Sequence, residues 1–383
     1  MGPLKGIRVV EFAGVGPAPY CGMLLADLGA DVTIIERPGG DPASRALGFT
    51  EPRANVLNRG KRSLALDLKQ PAGLAVARRL LAQADALIEG YRPGVMERLG
   101  LGPEPCLAAN PRLIYGRMTG WGQTGPLAQA AGHDLNFVAL SGALGLSRRA
   151  EGAPTVPATV VGDMGGGGLF LAFGLVCALL EARHSGLGQV IDAAVVDGSA
   201  SLTSLIWALK ASGGWSNAPA PHVFRYDSPF YDCFACADGK WISLGPIEPP
   251  FYQLLLEKLE LTSAVTGKQF DASNWPALKA TIARRIAERS QAEWCRRLEG
   301  SDVCFAPVLD LDELPQHPQH QARQSFIEVA GHTQPAPAPR FSRTAAAPPS
   351  APPRPGEHGT AILLDYGYDE AEIAALTASG VVG

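Results

Sequence analysis

The alternation of strand and helix patterns at the start of the sequence limits the possible folds more than any other feature. Ile7–Phe12 is a short apolar run typical of a buried strand, Tyr20–Leu28 has helical periodicity, and Val32–Glu36 is a second apolar run. The pattern continues with strands at Ser63–Leu68, Ala86–Glu89, Leu113–Gly116 and Gln189–Val195. Strands that alternate with helices form parallel sheets covered on both faces. The predicted fold class is therefore α/β with a Rossmann-like parallel sheet.

The turn after the first predicted strand resembles a dinucleotide-binding fingerprint, but the match is incomplete. Gly14 and Gly16 are present, whereas Pro19 occupies the position of the third glycine. That glycine allows the helix to pack closely on the strand. The sequence therefore predicts Rossmann-like topology and does not predict NAD binding.

The length of the chain and a change of pattern near residue 212 indicate two domains. A chain of 383 residues exceeds what one hydrophobic core usually serves. Beyond residue 212, a predicted hairpin (Phe230–Phe234 and Trp241–Leu244) and several helices replace the earlier alternation. We predict a large domain over 1–212, a small α+β domain over 213–310, and a segment over 311–383 that completes the large domain. The Pro-rich stretch Pro335–Pro355 is compatible with an ordered arm or with a disordered linker.

Composition excludes several classes of protein. The net charge of −4 lacks the basic excess of nucleic-acid-binding proteins, and no signal peptide precedes the first strand pattern. Seven cysteines, mostly scattered singly, favour a reduced, cytoplasmic protein. The only close pair is Cys233 and Cys236, too few ligands for a structural zinc site, so no metal is expected.

The candidate proton-transfer groups lie in one glycine-rich stretch. His133 follows Gly132, and Asp163 follows Gly162 and precedes a run of four glycines. The apolar segment Leu169–Leu180 is too short to span a bilayer and is interpreted as a buried helix with Asp163 and the glycines at its N-terminus. Each feature also has a structural explanation. His133 could serve only as a hydrogen-bonding residue, Asp163 could be a helix N-cap, and the glycines could form a turn.

A basic cluster, Arg59–Gly–Lys–Arg62, precedes the third predicted strand. Such residues usually face solvent, and at the carboxyl edge of a parallel sheet they also suit a phosphate.

Seven motifs in order, spread over nearly the whole chain, identify a family. The sequence resembles the family III CoA-transferases (CaiB/BaiF) and, within them, the α-methylacyl-CoA racemases. The motifs are RGKRSLALDLK (59–69), EGYRPGV (89–95), GWGQTGP (120–126), AGHDLN (131–136), GDMGGG (162–167), GQVIDA (188–193) and GPIEPPFY (245–252).

The resemblance implies a fold, an assembly and a set of site residues. The fold is a Rossmann-like large domain built from both chain ends plus a small domain, in an interlocked homodimer. The implied catalytic residues are His133 and Asp163, with Glu248 as the partner of the histidine, supplied by the other chain. The implied CoA-binding residues are Arg37, Leu66, Asp67, Leu68, Lys69, Arg92, Arg98, Gly132, Asp134, Leu135, Asn136 and Phe137.

The activity that the resemblance implies is racemisation of a 2-methylacyl-CoA thioester through an enolate. His133 and Asp163 would exchange the roles of acid and base, and N–H groups around Gly132 to Asp134 are candidate enolate donors. CoA would enter as part of the substrate, and no separate cofactor, membrane or nucleic-acid partner is expected. Asp163 must be protonated at times; burial would raise its pKa and a helix N-terminus would lower it, and the sequence leaves the direction open.

The alternative activity is CoA transfer, with Asp163 as a nucleophile that forms a mixed anhydride with the acyl group. Transferases of the family do not need the histidine–glutamate pair, so His133 and Glu248 together favour the racemase.

One segment departs from the family pattern. Racemases usually carry Leu-Asp-Gly-Gly-Ala before the Pro-Phe-Tyr of the small domain, whereas this chain carries Phe224-Arg-Tyr-Asp-Ser228. That loop borders the acyl pocket in relatives, so we expect altered acyl specificity and unaltered proton-transfer residues.

Overall fold

A computed structural model describes residues 2–40, 45–46, 48–147, 152–217, 220–262 and 268–383. The chain divides into two compact units. The large unit comprises Met1–Gly145, Val156–Ser204 and Gln324–Gly383, and the small unit comprises Leu146–Thr155 and Leu205–Arg323.

The large unit is built on a six-stranded parallel sheet. Its strands are β1 (Arg8–Phe12), β2 (Asp31–Glu36), β3 (Arg62–Ala65), β4 (Ala86–Glu89), β5 (Ile114–Thr119) and β6 (Val190–Ala194). The spatial order is β3-β2-β1-β4-β5-β6, and every neighbouring pair is parallel. The predicted α/β fold class with a Rossmann-like sheet is confirmed.

Helices cover both faces of this sheet, as the apolar strands require. They are α1 (Pro17–Asp27), α2 (Pro71–Leu81), α3 (Val95–Arg98), α4 (Pro103–Ala109), α5 (Asp134–Leu140), α6 (Ala143–Leu146), α7 (Phe170–Ser185), α8 (Val195–Leu202), α14 (Gly359–Asp365) and α15 (Glu370–Ala378). One core joins the sheet to α2 and α14. The other joins it to α1 and α7.

Two of the three basic residues of the cluster, Arg59 and Lys61, are buried, which corrects the expectation of a solvent-facing or phosphate-binding group; the third, Arg62, is partly exposed and pairs with Asp31. Arg59 is 2% exposed and Lys61 is 1% exposed. The Arg59 guanidinium lies 2.6 Å from the Asp27 carboxylate, and Lys61 Nζ lies 2.7 Å from Glu11 Oε2. Because a buried cation needs a paired anion, these two side chains tie β3 and its approach to α1 and β1 and are not available to a ligand.

The apolar helix is longer and more exposed than the sequence indicated. A π-helical segment, Val160–Leu169, runs directly into α7, so the helix begins at Val160 rather than Leu169. The 26 residues Val160–Ser185 are long and apolar enough to cross a membrane by length and composition alone, as core helices of soluble proteins also are. The length argument is therefore wrong. The helix is also not buried all round, because Phe173 is 69% exposed while Leu171 and Leu175 are fully buried.

The segment after the small unit returns to the large sheet as an ordered arm. It first forms an antiparallel pair, β10 (Phe326–Val329) and β11 (His332–Pro335). The Pro-rich stretch then contacts the approach to β3: the Gly60 N–H donates to Ser350 O at 3.0 Å, and Arg53 donates to Pro352 O at 2.8 Å.

The small unit is an α+β structure with its own core. Its antiparallel sheet has the order β7 (Asp232–Ala235), β8 (Trp241–Leu244), β9 (Phe305–Val308). Its helices are α9 (Ser204–Ala211), α10 (Pro249–Lys258), α11 (Trp275–Ile286), α12 (Gln291–Leu298) and α13 (Pro318–Arg323). Phe234, Ile242 and Leu244 on one sheet face pack with Trp294 in the core.

Candidate active site

The large unit gathers most of the predicted site residues at the carboxyl edge of its parallel sheet. The strand order reverses between β1 and β4, which leaves a crevice beyond their carboxyl ends. The turn after β1 contains Gly16, and a methyl group added there would lie 3.3 Å from Asp163 Oδ2. The Asp163 carboxylate therefore lies at this crevice.

The backbone around Asp163 is held by a second carboxylate, that of Asp134 in the first turn of α5. Asp134 Oδ1 accepts the Asp163 N–H at 2.8 Å, and Asp134 Oδ2 accepts the Thr159 N–H at 2.9 Å. A methyl group on Gly162 would lie 2.1 Å from Asp134 Oδ1, so only glycine fits between them. Asp134 thus fixes the start of the π-helical segment. This role was missed at the sequence level, where Asp134 was placed among the CoA-binding residues.

The environment of Asp163 raises its pKa to about 6, which answers the question that the sequence left open. The largest cause is burial of the carboxyl group, and the neighbouring charge of Asp134 adds to it. The charge of His133 acts in the opposite sense. A carboxyl group with this pKa is present in both protonation states near neutral pH, as an acid–base catalyst requires.

His133 lies within electrostatic reach of the Asp163 carboxyl group. It immediately precedes α5 and is exposed. Its N–H donates to Asn136 Oδ1 at 3.1 Å, which fixes the entry to the helix. Because the imidazole lies close enough to lower the pKa of Asp163, the structure brings these two predicted residues together.

The glycine run after Asp163 serves helix packing, which differs from its predicted place at a helix N-terminus open to a ligand. A methyl group on Gly166 would lie 2.3 Å from Ser199 Oγ in α8, and one on Gly168 would lie 2.5 Å from Pro17 O in α1. The run therefore lets the π-helical segment approach α1 and α8 closely. That approach places Asp163 against the turn after β1.

Four cations from the predicted CoA-binding set are exposed at this edge. Arg37, Lys69, Arg92 and Arg98 follow the carboxyl ends of β2, β3 and β4. Arg37 lies near enough to Asp67 to lower the pKa of that carboxyl group, although hydrogen bonds from Lys69 and Gln70 contribute more.

The other predicted CoA contacts differ in accessibility. Leu66 is 1% exposed and pairs with Val382 near the C-terminus, and Leu68 packs on the core, so these two offer only backbone atoms. Phe137 packs edge-on against Trp121 at a centroid distance of 4.7 Å, next to Gly132. Leu135 and Asn136 are exposed.

Glu248 belongs to the small unit. It is exposed and immediately precedes α10, whose first residues are Pro249 and Pro250. Proline at the first positions of a helix needs no N–H partner, so the carboxylate of Glu248 is not required as a cap. No side-chain cap hydrogen bond forms there.

One ionisable residue at this edge was not predicted. Glu36, the last residue of β2, lines a cavity of about 280 Å³ together with Arg37, Asn55 and Asn58. Burial raises its pKa to about 7, the charge of Glu11 adds to the shift, and Lys61 opposes it. An acidic residue that ends the second strand of a Rossmann-like unit is a known position for a ribose contact. That signal was available from the sequence.

No metal centre is present in the described part of the chain, since no group of three or more His, Cys, Asp or Glu side chains there could hold an ion. The cysteines are all free, and Cys233 is partly exposed whereas Cys236 is buried.

Known proteins are similar in sequence to this chain over nearly its whole length. The model of CoA-transferase family III matches residues 4–359. Alpha-methylacyl-CoA racemase of Mus musculus is 43% identical over 381 residues, covering 99% of this chain and 97% of the relative, and that of Homo sapiens is 41% identical over the same length. Succinyl-CoA:glutarate CoA-transferase of Mus musculus is 29% identical over 403 residues, covering 100% of this chain and 91% of the relative.

A solved structure has the same architecture. A CAIB/BAIF family protein from Brucella suis superimposes with a TM-score of 0.83 at 28% identity, covering 95% of this chain and 99% of that chain.

Proposed function

The chain belongs to CoA-transferase family III, and we propose that within this family it is a racemase of 2-methylacyl-CoA thioesters. The observation that carries the proposal is the placement of His133 within electrostatic reach of Asp163, a half-buried carboxyl group whose pKa is raised to about 6. The racemases at 41–43% identity over 99% of the chain support the same activity.

The two residues divide one proton transfer between them. One group removes the C2 proton of the thioester, the electron pair moves onto the thioester oxygen as an enolate, and the other group returns a proton to C2 from the opposite face. Burial keeps the Asp163 carboxyl group protonated in roughly one molecule in ten at pH 7, given a pKa of about 6. The roles of acid and base exchange with the direction of reaction.

The remaining residues position the substrate. Glu248 would orient the imidazole of His133, and the N–H groups of Gly132 and Asp134 would stabilise the enolate oxygen. Exposed Arg37, Arg92 and Arg98 would bind the phosphates of CoA, which enters as part of the substrate. No separate cofactor takes part in this scheme, because proton transfer between carbon and two side chains needs none. A reducing, cytoplasmic location is supported by the free state of all seven cysteines.

The association state is a second part of the proposal. Leu169, Phe173, Val176 and Leu180 are all exposed, and their spacing of three and four residues places them in one stripe along the helix. An apolar stripe of this kind favours burial against protein, and the proposed occupant is a second copy of this chain in a homodimer rather than a membrane. A folded, active monomer in sedimentation at micromolar concentration would contradict this.

The deciding experiment follows exchange of the C2 hydrogen. The purified protein should exchange the C2 hydrogen of a 2-methylacyl-CoA with solvent deuterium in the absence of any second acid. The alternative activity, CoA transfer with Asp163 as nucleophile, requires an acceptor acid and labels the enzyme as an anhydride. Transfer between two acids without C2 exchange would replace the racemase assignment.

A further inference from the structure

The segment that returns from the small unit covers the outer edge of strand β3. The order β3-β2-β1-β4-β5-β6 leaves β3 as an edge strand of the large sheet. An edge strand presents a row of backbone N–H and C=O groups that need partners. Part of this row is satisfied at Ser63, whose carbonyl accepts the His358 N–H at 3.0 Å. The returning segment therefore takes the place of a further strand along this edge.

Residues 381–383, which follow α15, form a strap along the end of β3. Leu66, the first residue of the predicted CoA-binding stretch 66–69, pairs with Val382 in an antiparallel bridge. Val381 and Val382 are buried in the same core as Leu66. The strap is therefore held in place by apolar burial as well as by backbone pairing.

Two backbone hydrogen bonds flank this bridge. The Asp67 N–H donates to Val381 O at 2.9 Å, and the Gly383 N–H donates to Ala65 O at 3.2 Å. Because the two bonds lie on either side of the bridge, they fix the direction in which the chain leaves β3. The strap thus sets the start of the CoA-binding stretch.

The CoA-binding stretch is fixed on its other side by a turn of its own. Asp67 Oδ1 accepts the Lys69 N–H at 3.0 Å, and the Gln70 N–H donates to Asp67 O at 3.2 Å. A methyl group on Gly73 would lie 2.1 Å from Asp67 O, so the first turn of α2 packs directly against this carbonyl. The backbone of the stretch is therefore held from both sides, by the strap before it and by the turn after it.

The strap also lies next to the loop that carries Arg37. A methyl group added at Gly383 would lie 3.6 Å from Pro38 Cβ and 3.8 Å from Ala65 Cβ. Gly383 therefore lies between the loop after β2 and the end of β3. Two of the four exposed cations at the carboxyl edge, Arg37 and Lys69, belong to the two loops that the strap joins.

We propose that the strap is a positioning element for CoA, which holds the loops of Arg37 and Lys69 at the spacing that the phosphates of CoA require. The inference rests on the proposed function, which places CoA at this edge. A ligand that binds only the arrangement with the strap in place favours that arrangement. The coupling is reciprocal, so release of the strap weakens CoA binding by the factor by which CoA stabilises the strap.

The first test removes one hydrogen bond of the strap. Gly383→Pro deletes the N–H that donates to Ala65 O. Gly383→Ala keeps that N–H and adds a methyl group at ordinary contact distance from Pro38. Calorimetric titration with CoA should show a Kd that is raised about tenfold in Gly383→Pro, a usual size for such coupling, and unchanged in Gly383→Ala. With a 2-methylacyl-CoA ester, Gly383→Pro should raise KM and leave kcat close to wild type, as loss of uniform binding does.

A core variant separates positioning from stability. Ile373 on α15 is buried in the same core as Val382, so Ile373→Ala should lower the melting temperature without removing a hydrogen bond of the strap. It should leave the Kd for CoA unchanged. Wild-type affinity in Gly383→Pro, or an equal loss of affinity in Ile373→Ala, would show that the strap has only a structural role.

The second test uses the wild-type protein and therefore does not depend on the folding of Gly383→Pro. Amide hydrogen exchange is followed by mass spectrometry in peptides that contain residues 381–383, with and without CoA. CoA should slow this exchange about tenfold, whereas exchange in α12 of the small unit should not change. Binding of CoA without slower exchange at 381–383 would refute the strap and leave the proposed function intact. A protein that binds neither CoA nor a 2-methylacyl-CoA ester would refute the proposed function itself.

Discussion

Two carboxylates, Asp232 in the small unit and Asp163 in the large unit, have opposite electrostatic surroundings. In the small unit, Asp232 of β7 is 5% exposed and lies 2.5 Å from Lys279 of α11, so the pair joins the strand to the helix. In the large unit, no salt bridge reaches Asp163 within the described residues, and the neighbouring charge that adds to the effect of burial on its pKa is a second carboxylate, Asp134. A carboxyl group that is partly buried and left beside a like charge is held near its titration point. The contrast separates a structural carboxylate from the candidate catalytic one.

The division of labour between the units follows from the same contrast. The large unit offers two candidate proton-transfer groups and four exposed cations at the carboxyl edge of a parallel sheet. The small unit offers a cavity of about 350 Å³ lined by three aromatic rings and by small or apolar residues, in which the one carboxylate, Asp232, pairs with Lys279. The proposed chemistry and CoA binding would therefore depend on the large unit.

The largest expected effect comes from removing the two candidate proton-transfer groups. His133→Ala and Asp163→Ala should each lower racemisation by ~10²–10⁴-fold, the usual contribution of a general acid–base group. Each variant should lose C2 exchange mainly for one enantiomer, and the preference should be opposite in the two. His184→Ala, an exposed histidine in the last turn of α7, is the control and should retain wild-type rates. Equal losses for both enantiomers in both variants would show that the two residues do not serve opposite faces.

Removing a cation at the carboxyl edge should have the next largest effect. Arg37→Ala or Arg92→Ala should weaken binding of the CoA ester by about 1–3 kcal/mol, the usual value for a charge-assisted contact, with a smaller change in turnover at saturation. Arg112→Ala is the matched control, because this exposed arginine precedes β5 at the amino edge of the sheet. Calorimetric titration with a CoA ester measures the affinities, and an unchanged affinity in Arg37→Ala together with lost turnover would mean that CoA binds elsewhere.

The pKa of Asp163 predicts a pH effect of intermediate size. In the proposed mechanism the active enzyme carries one proton between Asp163 and His133, so protonation of both groups at low pH should remove activity. Because the pKa of Asp163 is raised to about 6, kcat/KM should fall about tenfold per pH unit below pH 6, and equally in both directions of racemisation. An acid limb near pH 4, the ordinary range of an aspartate, would indicate that the carboxyl group is solvated in the working enzyme.

The smallest expected effect concerns stability. The pKa of Asp163 is higher in the folded state than in the unfolded chain, so folding takes up a proton between about pH 4 and pH 6. Stability is therefore lost as the pH rises through that window. Asp163→Asn should be more stable than wild type at pH 8 by about 1–2 kcal/mol, after allowance for partial solvent screening, and equal to it below pH 4. Urea unfolding at the two pH values measures this, and a destabilised variant at pH 8 would contradict the sign.

The local pattern of apolar and polar residues is sufficient to predict the order and type of most strands and helices. Ile7–Phe12 and Val32–Glu36 were recognised as strands because a parallel sheet buried on both faces needs continuous apolar runs. The hairpin of the small unit was recognised from two runs around an Asp-Gly turn, and it forms as β7 and β8. Family resemblance placed His133 and Asp163 in one site, and the large unit does bring them within electrostatic reach.

Tertiary structure alone decided which charges are buried and which are free. Arg59 and Arg37 have the same side chain, yet Arg59 pairs with Asp27 in the core and Arg37 lies exposed beyond β2. Asp27, the partner of Arg59, is 32 positions away in sequence and becomes its neighbour only when α1 packs on the sheet. The direction of the pKa shift of Asp163 could not be predicted from the sequence for the same reason. Burial of Asp163 and the approach of Asp134 depend on how the glycine run packs on α1 and α8. These two effects raise the pKa by more than the start of a helix lowers it.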